Sequence, residues 1–217
     1  GILGFAPMVL DPGITMEEKE EYLYILNASG KRLMQTITDY MDISMLVSGN
    51  MKISVREFAV GVILGEAWDH FAPRIDQKKL GFRVIADPVS RNPVLKSDPD
   101  LIRKVLFHLI DNAIKFTEKG EIVIEFQVDH DHMQIRIKDT GIGIDREIIP
   151  NIFEKFFQVD HYRTRNFEGS GLGLTIVSEI MKLIGGTINV TSKKWTGSVF
   201  AIRLPLELNL PANIKDH

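Results

Sequence analysis

Apolar and polar residues along the first 50 positions repeat with a helical period, which predicts two helices joined by a turn. Residues 2–10 have the pattern of the end of a helix, and Asp11-Pro12-Gly13 is strong turn chemistry. Thr15 can cap a second helix, whose first turns are acidic, as the helix dipole favours. Along that helix a heptad-like stripe recurs at spacings of four and three: Tyr22, Leu26, Ser29, Leu33, Thr36, Tyr40, Ile43 and Val47.

One helix cannot bury such a stripe alone. Two arrangements would bury it: a hairpin that packs on its own domain, or half of an intermolecular bundle. We favour the bundle, because the run is long and precedes a clear change of composition at Ser48-Gly49-Asn50.

From residue 51 onward, helical and strand patterns are mixed. Helices are predicted over residues 55–71, from the N-cap Asp98 and Pro99 to Phe116, and over residues 171–184, ended by Gly185-Gly186. Strand patterns cover residues 82–86, 93–97, 121–128, 133–138, 187–192 and 198–204, with a hairpin turn at 129–131. These elements do not alternate as repeated βαβ units. We therefore predict an α+β fold: a two-layer sandwich with one mixed, largely antiparallel sheet and helices on a single face, preceded by a helical hairpin.

Composition narrows the class of protein. The 217 residues are 44% hydrophobic and carry a net charge of −3. The chain therefore has no overall positive charge that would attract nucleic acid or an anionic membrane. There are no cysteines, which excludes disulfides, thiolate zinc sites and cysteine nucleophiles. No apolar stretch reaches the roughly 18 residues that span a bilayer. We expect a cytoplasmic domain, and the start at Gly1 leaves room for a longer, membrane-anchored parent.

The helix that follows Asp98 carries polar side chains on its apolar face. His108 and Asn112 lie one turn apart on that face, and Lys115 lies on the next turn. Burying an unpaired carboxamide costs roughly 1–3 kcal/mol, so Asn112 needs a polar partner. Either a backbone group in the core supplies it, or a hydrated magnesium ion that carries phosphates does.

Two glycine-rich segments offer complementary chemistry. At Asp139-Thr140-Gly141-Ile142-Gly143 a strand ends in a carboxylate that can accept from an exocyclic amine, and the glycines let a flat ring approach the backbone. At Gly169-Ser170-Gly171-Leu172-Gly173 a helix begins, and its free amides make an anion site for phosphates. Asp-Thr-Gly is also the triplet of aspartic proteases, but these need two facing carboxylates and the sequence has one copy. No Walker loop or dinucleotide fingerprint occurs.

In order and spacing, these segments resemble the boxes of the catalytic ATP-binding part of two-component sensor histidine kinases, of the ATPase superfamily shared with gyrase. Residues 111–117 resemble the N box, 139–143 the first glycine box, 152–157 the F box and 169–173 the second glycine box. Residues 197–200 also fit, and the resemblance extends from about residue 2 to 206.

The resemblance implies roles for named residues. Asn112 would ligate magnesium and act with His108 in catalysis, and Lys115 would approach the phosphates of ATP. Asp139 would bind the adenine amine in a base pocket shaped by Gly141 and Gly143. The remaining ATP-binding residues would be Gly169, Gly171, Leu172, Gly173 and Ser198. In a lid containing His161, Arg163 and Arg165, one arginine pairs with the terminal phosphate or both are solvated.

The sequence departs from the family pattern at two places. His108 stands where these kinases usually have Asn and their ATPase relatives a catalytic Glu; a neutral imidazole can still bond a phosphate or a water. In addition, none of the six histidines lies in the His-Glu-x-x-Thr-Pro-type motif that carries the phospho-accepting histidine. This chain alone is therefore not expected to autophosphorylate.

Residues 1–50 are thus expected to be partial dimerisation and phosphotransfer helices, 51–208 the ATP-binding catalytic domain and 209–217 a tail. The parent would form a homodimer through the hairpin, transfer the γ-phosphoryl of Mg-ATP to a histidine and pass it to a response-regulator receiver domain. Two alternatives stay open. One is a nucleotide-binding but catalytically degenerate signalling module, which His108 favours. The other is a stand-alone ATPase of the superfamily, against which the F box argues.

Overall fold

The computed structural model describes residues 2–86, 93–157 and 170–208. The helices are α1 (Ile2–Val9), α2 (Met16–Val47), α3 (Val60–Lys78), α4 (Pro99–Phe116) and α5 (Gly173–Leu183). The strands are β1 (Arg56–Ala59), β2 (Gly81–Ala86), β3 (Val94–Ser97), β4 (Glu121–Asp129), β5 (His132–Asp139), β6 (Thr187–Lys193) and β7 (Gly197–Pro205). No helix within the described ranges is long and apolar enough to cross a membrane.

The first two helices form the predicted hairpin. Thr15 caps α2 in a reciprocal capping box: its hydroxyl accepts from the Glu18 amide at 3.2 Å, and the Glu18 carboxylate accepts from the Thr15 amide at 2.9 Å. The ring of Phe5 on α1 lies 5.6 Å from that of Tyr22 on α2. The predicted stripe is not buried continuously along α2. Tyr22 is partly buried against α1 and Ile43 is buried near the other end, while Leu33 between them is exposed.

The main sheet has five strands in the order β2-β4-β5-β7-β6. The β2–β4 pair is parallel and the other three pairs are antiparallel. Alternate residues of the central strands enter the core that α4 and α5 cover: Ile122, Ile124, Phe126, Met133, Ile135, Ile137, Phe200, Ile202 and Leu204. The predicted α+β class, with a mixed and largely antiparallel sheet, is confirmed.

Two predictions about the region that begins at residue 51 were wrong. Residues 56–59 do not begin a helix over 55–71 but form β1, and the helix runs instead from Val60 to Lys78. The partner of β1 is β3, and these two strands form a separate antiparallel sheet, so β3 is not part of the main sheet. Helical periodicity could not reveal a strand whose partner lies far along the chain. The helix continues through Pro73 because Phe71 and Ile75 on either side of it are buried in the core.

The start of α4 is fixed by Asp98. One carboxylate oxygen accepts from the amides of Asp100 (2.9 Å) and Leu101 (3.1 Å), as expected for an N-cap. The other oxygen accepts from the amide of Ser54 at 2.7 Å, in the segment that leads into β1. One side chain therefore caps α4 and anchors the segment that follows α2.

The rest of α4 is aligned by α3, which runs beside it in the same direction. Arg103 bonds Glu66 at 2.7 Å, and Arg74 pairs with Asp111 two turns further along both helices. At the end of α4, the ammonium of Lys78 donates to the carbonyls of Ile114, Lys115 and Thr117 at 2.6, 3.2 and 3.1 Å. The helix predicted to carry the polar site residues is thus held at both ends.

Candidate functional site

Asp139 is the last residue of β5 and lies opposite Ser198 of β7 in the sheet register. Its Oδ1 accepts from the amide of Gly141 at 2.8 Å and from that of Ser198 at 3.3 Å. Burial raises the pKa of Asp139 above its ordinary value, although these hydrogen bonds act in the opposite direction. Because an ionised carboxylate has about four lone-pair sites, it can still accept from a ligand donor.

The loop after Asp139 is packed against backbone on two sides. A Cβ on Gly141 would come within 3.0 Å of the Phe116 carbonyl, and one on Gly143 would do the same at Lys193. Gly143 also has a φ of 64°, in the left-handed region that favours glycine. The amide of Ile142 donates to the Phe116 carbonyl at 3.1 Å. The loop thus lies directly on the end of α4, and the structure brings together Asp139, Gly141, Gly143 and Ser198.

His108, Asn112 and Phe116 follow one another on α4 at intervals of about one turn, roughly 5–6 Å. At the Phe116 end the helix meets the Asp139 loop. At the His108 end it meets α5, where a Cβ on Gly173 would lie 3.2 Å from His108 Nδ1. The partly exposed Asn112 lies between the two ends. The helix α4 therefore connects the predicted base pocket with the second glycine box.

Burial perturbs the pKa of two titratable groups of α4, His108 and Lys115. Burial lowers the pKa of His108 below its ordinary value, although the nearby carboxylates of Asp39, Asp111 and Asp42 act in the opposite direction. The lowered pKa favours a neutral imidazole. Burial also lowers the pKa of Lys115, whose ammonium lies 5.0 Å from the centroid of the Phe116 ring. A neutral imidazole can donate one hydrogen bond and accept another, whereas an ammonium can only donate.

The second glycine box lies partly outside the described residues: Gly169 falls there, as do His161, Arg163 and Arg165 of the predicted lid. Within the described part, Gly171 has a φ of 71°, and α5 begins at Gly173, two residues later than predicted. The left-handed residue cannot belong to a right-handed helix, which accounts for the shift. The amide of Leu172 donates to the Ser170 hydroxyl at 3.3 Å. These groups lie at the positive end of the α5 dipole.

The F box packs under the start of α5. Ile152 is buried, and Phe153 and Phe157 pack against the core. The Thr175 hydroxyl on α5 donates to the Glu154 carbonyl at 3.1 Å. Phe156, by contrast, is exposed and has a φ of 61°. The box therefore supports α5 and also presents one aromatic ring at the surface.

Two carboxylates that sequence reasoning missed reach this region from α2. Asp39 is buried and accepts from the Ser170 hydroxyl at 3.0 Å. Asp42 is also buried, and both its oxygens accept from the Lys104 ammonium at 2.6 Å. A signal for them existed in the sequence, because two acids three residues apart within an apolar stretch need polar partners if they are buried. The predicted stripe runs along the adjacent face of the helix and shares Ile43 with the buried face.

The donor set suits a magnesium ion that arrives with phosphates. Among the described residues, no group of three or more His, Asp or Glu is arranged to hold a metal ion. Asn112 offers one carboxamide oxygen on the face between His108 and Phe116. Magnesium prefers oxygen ligands, keeps several waters, and is commonly held by one or two protein groups together with substrate phosphates. The residues present fit that kind of site.

Comparison with known proteins identifies a family and several relatives. Residues 97–208, just over half of the chain, match the family described as "Histidine kinase-, DNA gyrase B-, and HSP90-like ATPase". Sensor histidine kinase RcsC of Escherichia coli (strain K12) is 37% identical over 182 residues, which make up 83% of this chain and 19% of that protein. The chain thus spans about a fifth of this relative's length.

Two solved structures share the fold. Acinetobacter baumannii histidine kinase AdeS superposes with a TM-score of 0.76 at 23% identity, covering 94% of this chain and 93% of that chain. Histidine kinase ThkA, solved in complex with response regulator protein TrrA, superposes with a TM-score of 0.71 at 22% identity, covering 94% of this chain and 56% of that chain. The chain belongs to the histidine kinase-, DNA gyrase B- and HSP90-like ATPase family, and is the catalytic ATPase region of a sensor histidine kinase in two-component signalling.

Proposed function

We propose that this chain binds Mg-ATP and transfers its γ-phosphoryl group to a histidine on a helical bundle. The observation that carries the proposal is the surroundings of Asp139. A buried carboxylate, fixed by the Gly141 and Ser198 amides, lies beside glycines packed directly on backbone. This arrangement suits a flat base whose amine donates to the carboxylate, with Gly141 and Gly143 shaping the pocket.

The phosphate end of the proposed site is built from α4 and α5. Asn112 would hold magnesium, which neutralises charge on the phosphates when bound. Lys115 would contact the phosphates from the same helix. The amides of Gly171, Leu172 and Gly173 would bind them at the start of α5, where the helix dipole favours anions. The sequence pattern alone adds Gly169 to this set.

His108 is proposed as a positioning group at the phosphate end. Its ring lies against Gly173, and its lowered pKa favours a neutral imidazole. A neutral ring can hold a phosphate oxygen or a water by a hydrogen bond without adding a charge. The carboxylate that related ATPases use to activate water is absent at this position, which favours transfer to a protein acceptor over hydrolysis.

The proposed acceptor is none of the six histidines of this sequence, because none has the family's motif context. Residues 1–50 would be part of the dimerisation and phosphotransfer bundle, and residues 51–208 the catalytic domain. The complex of ThkA with a response regulator supports a receiver domain as the partner that takes the phosphoryl group. Because the reaction consumes ATP, we propose a cytoplasmic location for this region.

A phosphoryl-transfer assay in trans tests this function. The chain would be mixed with γ-labelled Mg-ATP and a separately produced bundle that carries the acceptor histidine of a sensor histidine kinase. We expect acid-labile label on the bundle and none on a histidine of this chain. Asn112→Ala should slow transfer by at least about 10- to 100-fold, because even the loss of an outer group that orients a metal ligand has an effect of this size.

Asn27→Ala, on the exposed part of α2, is the matched control and should transfer at the wild-type rate. Strong histidine labelling of this chain, or undiminished transfer by Asn112→Ala, would contradict the proposal. Nucleotide binding without any transfer would instead support the degenerate signalling module that His108 favours.

A further inference from the structure

The C-terminal half of α2 is seated on the phosphate end of the proposed site. We name its contacts the α2 clamp and define it by three pairs: Asp39 with Ser170, Asp42 with Lys104, and Tyr40 with Phe156. The last pair brings two rings to 6.4 Å between centroids. The clamp therefore reaches the second glycine box, the N-box helix α4 and the F box at once.

Asp39 connects α2 to the amides at the start of α5. One of its oxygens accepts from Gln35 on α2 at 2.8 Å, and the other accepts from the Ser170 hydroxyl. Ser170 in turn accepts from the Leu172 amide. A buried carboxylate is thus one hydroxyl away from an amide proposed to bind phosphate, at the positive end of a helix dipole.

Asp42 anchors the clamp one turn away. Its side chain is 12% exposed, and both oxygens bond the ammonium of Lys104, which lies one turn before His108 on α4. Lys104 is partly exposed, so the pair is only partly buried, and removal of either partner leaves the other charge uncompensated. The ion pair between Asp42 and Lys104 therefore helps to keep α2 docked, with Asp39 in contact with Ser170 of the glycine box.

We propose that the α2 clamp and Mg-nucleotide compete for the phosphate end of the site. A docked α2 places the Asp39 carboxylate one hydroxyl away from the Leu172 amide, which is one of the amides proposed to bind the triphosphate. Two anions cannot both be accommodated well at one helix N-terminus. Nucleotide loading and release of α2 are then linked, and by thermodynamic reciprocity each weakens the other equally. This inference rests on the proposed ATP site and adds its regulation by α2.

Titration calorimetry with Mg²⁺ and a non-hydrolysable ATP analogue tests the competition in the full chain. Asp39→Asn keeps an acceptor for Ser170 but removes the charge, and Asp42→Ala breaks the anchor without touching α4. Each should bind the analogue about tenfold more tightly than the wild type, within the usual range of coupling between sites. Glu20→Gln, which removes one charge from an exposed position on the same helix, should bind like the wild type.

Hydrogen exchange supplies a second readout on the wild type. Analogue binding should speed exchange of the α2 amides at residues 35–46, because it releases the clamp. Equal or weaker binding by Asp39→Asn and Asp42→Ala, or slower exchange in α2, would overturn the competition while leaving the ATP site intact. No binding by any of the four proteins would overturn the proposed site, and the competition with it.

Discussion

Asp139 occupies a position where function and stability oppose each other. Its pKa is raised in the folded protein, so the folded protein takes up a proton more readily than the unfolded chain does. Stability therefore falls as the pH rises from the ordinary carboxyl pKa through the raised one. At neutral pH the ionised side chain lowers the free energy of unfolding.

Asp139→Asn should consequently stabilise the ligand-free protein. Asparagine keeps an oxygen that can accept from the Gly141 and Ser198 amides and carries no charge to desolvate. We expect urea denaturation at pH 7 to show a free energy of unfolding higher by about 0.5–2 kcal/mol, the usual size of a single stabilising change. The gain should shrink toward pH 4. Asp129→Asn, at the exposed far end of the same hairpin, should change little; a less stable Asp139→Asn would refute the argument.

Single residues could be predicted from the sequence where their partners are close along the chain. Asp139, Gly141 and Gly143 lie within five positions, so the strand end and its glycines are visible together. Asp39 and Ser170 are 131 positions apart, and their contact depends on how α2 packs. Only one of the two roles of Asp98 could be predicted. The cap lies within α4 itself, whereas the hydrogen bond from the Ser54 amide joins residues far apart in the chain.

At the scale of elements, α2 presents two faces with different partners. One face carries the buried Asp39, Asp42 and Ile43 against the rest of the chain. The opposite face exposes an apolar stripe formed by Leu23, Met34, Ile37, Met41 and Met45. This stripe is displaced by about one residue from the predicted one. A second copy of the chain is its proposed partner, since a helix of this length with such a stripe suits a bundle.

Ile37→Asp should therefore reduce self-association of the chain. The substitution places a charge in the middle of the exposed stripe, where a dimer would bury it without a partner. Sedimentation velocity at increasing concentration should show wild-type dimers and a variant that stays monomeric to at least about tenfold higher concentration. Val62→Asp, an exposed apolar position on α3, is the matched control and should associate like the wild type. A wild type that is monomeric throughout would contradict the prediction.

Elements with local signals were predicted well. The helix α4 begins and ends where Asp98, Pro99 and Phe116 indicated, because its cap and its apolar face lie within the helix itself. The strand β1 was missed because its only evidence is pairing with β3, about 38 residues away. The extension of α3 past Pro73 depends likewise on core packing by Ile75, which outweighs the local tendency of proline to end a helix.

For the whole molecule, the fold class and the order of the boxes could be predicted from the sequence, but the position in which α2 packs could not. The class is set by the succession of helical and strand patterns, each readable locally. The position of α2 depends on the buried Ile43 and on two polar contacts, Asp42 with Lys104 and Asp39 with Ser170. Such contacts join positions far apart in the chain, and sequence periodicity does not encode them.

An adenine site built around Asp139 is the central claim, and calorimetric titration measures the affinity of that site for Mg-ATP. We expect the wild type to bind Mg-ATP and to discriminate against Mg-GTP, because guanine presents a carbonyl where adenine presents an amine. Asp139→Asn should weaken Mg-ATP binding by about 10- to 100-fold, the loss of a hydrogen bond to a buried charge, while Asp129→Asn should bind normally. A wild type that binds no Mg-ATP, or an Asp139→Asn variant of unchanged affinity, would contradict the central claim.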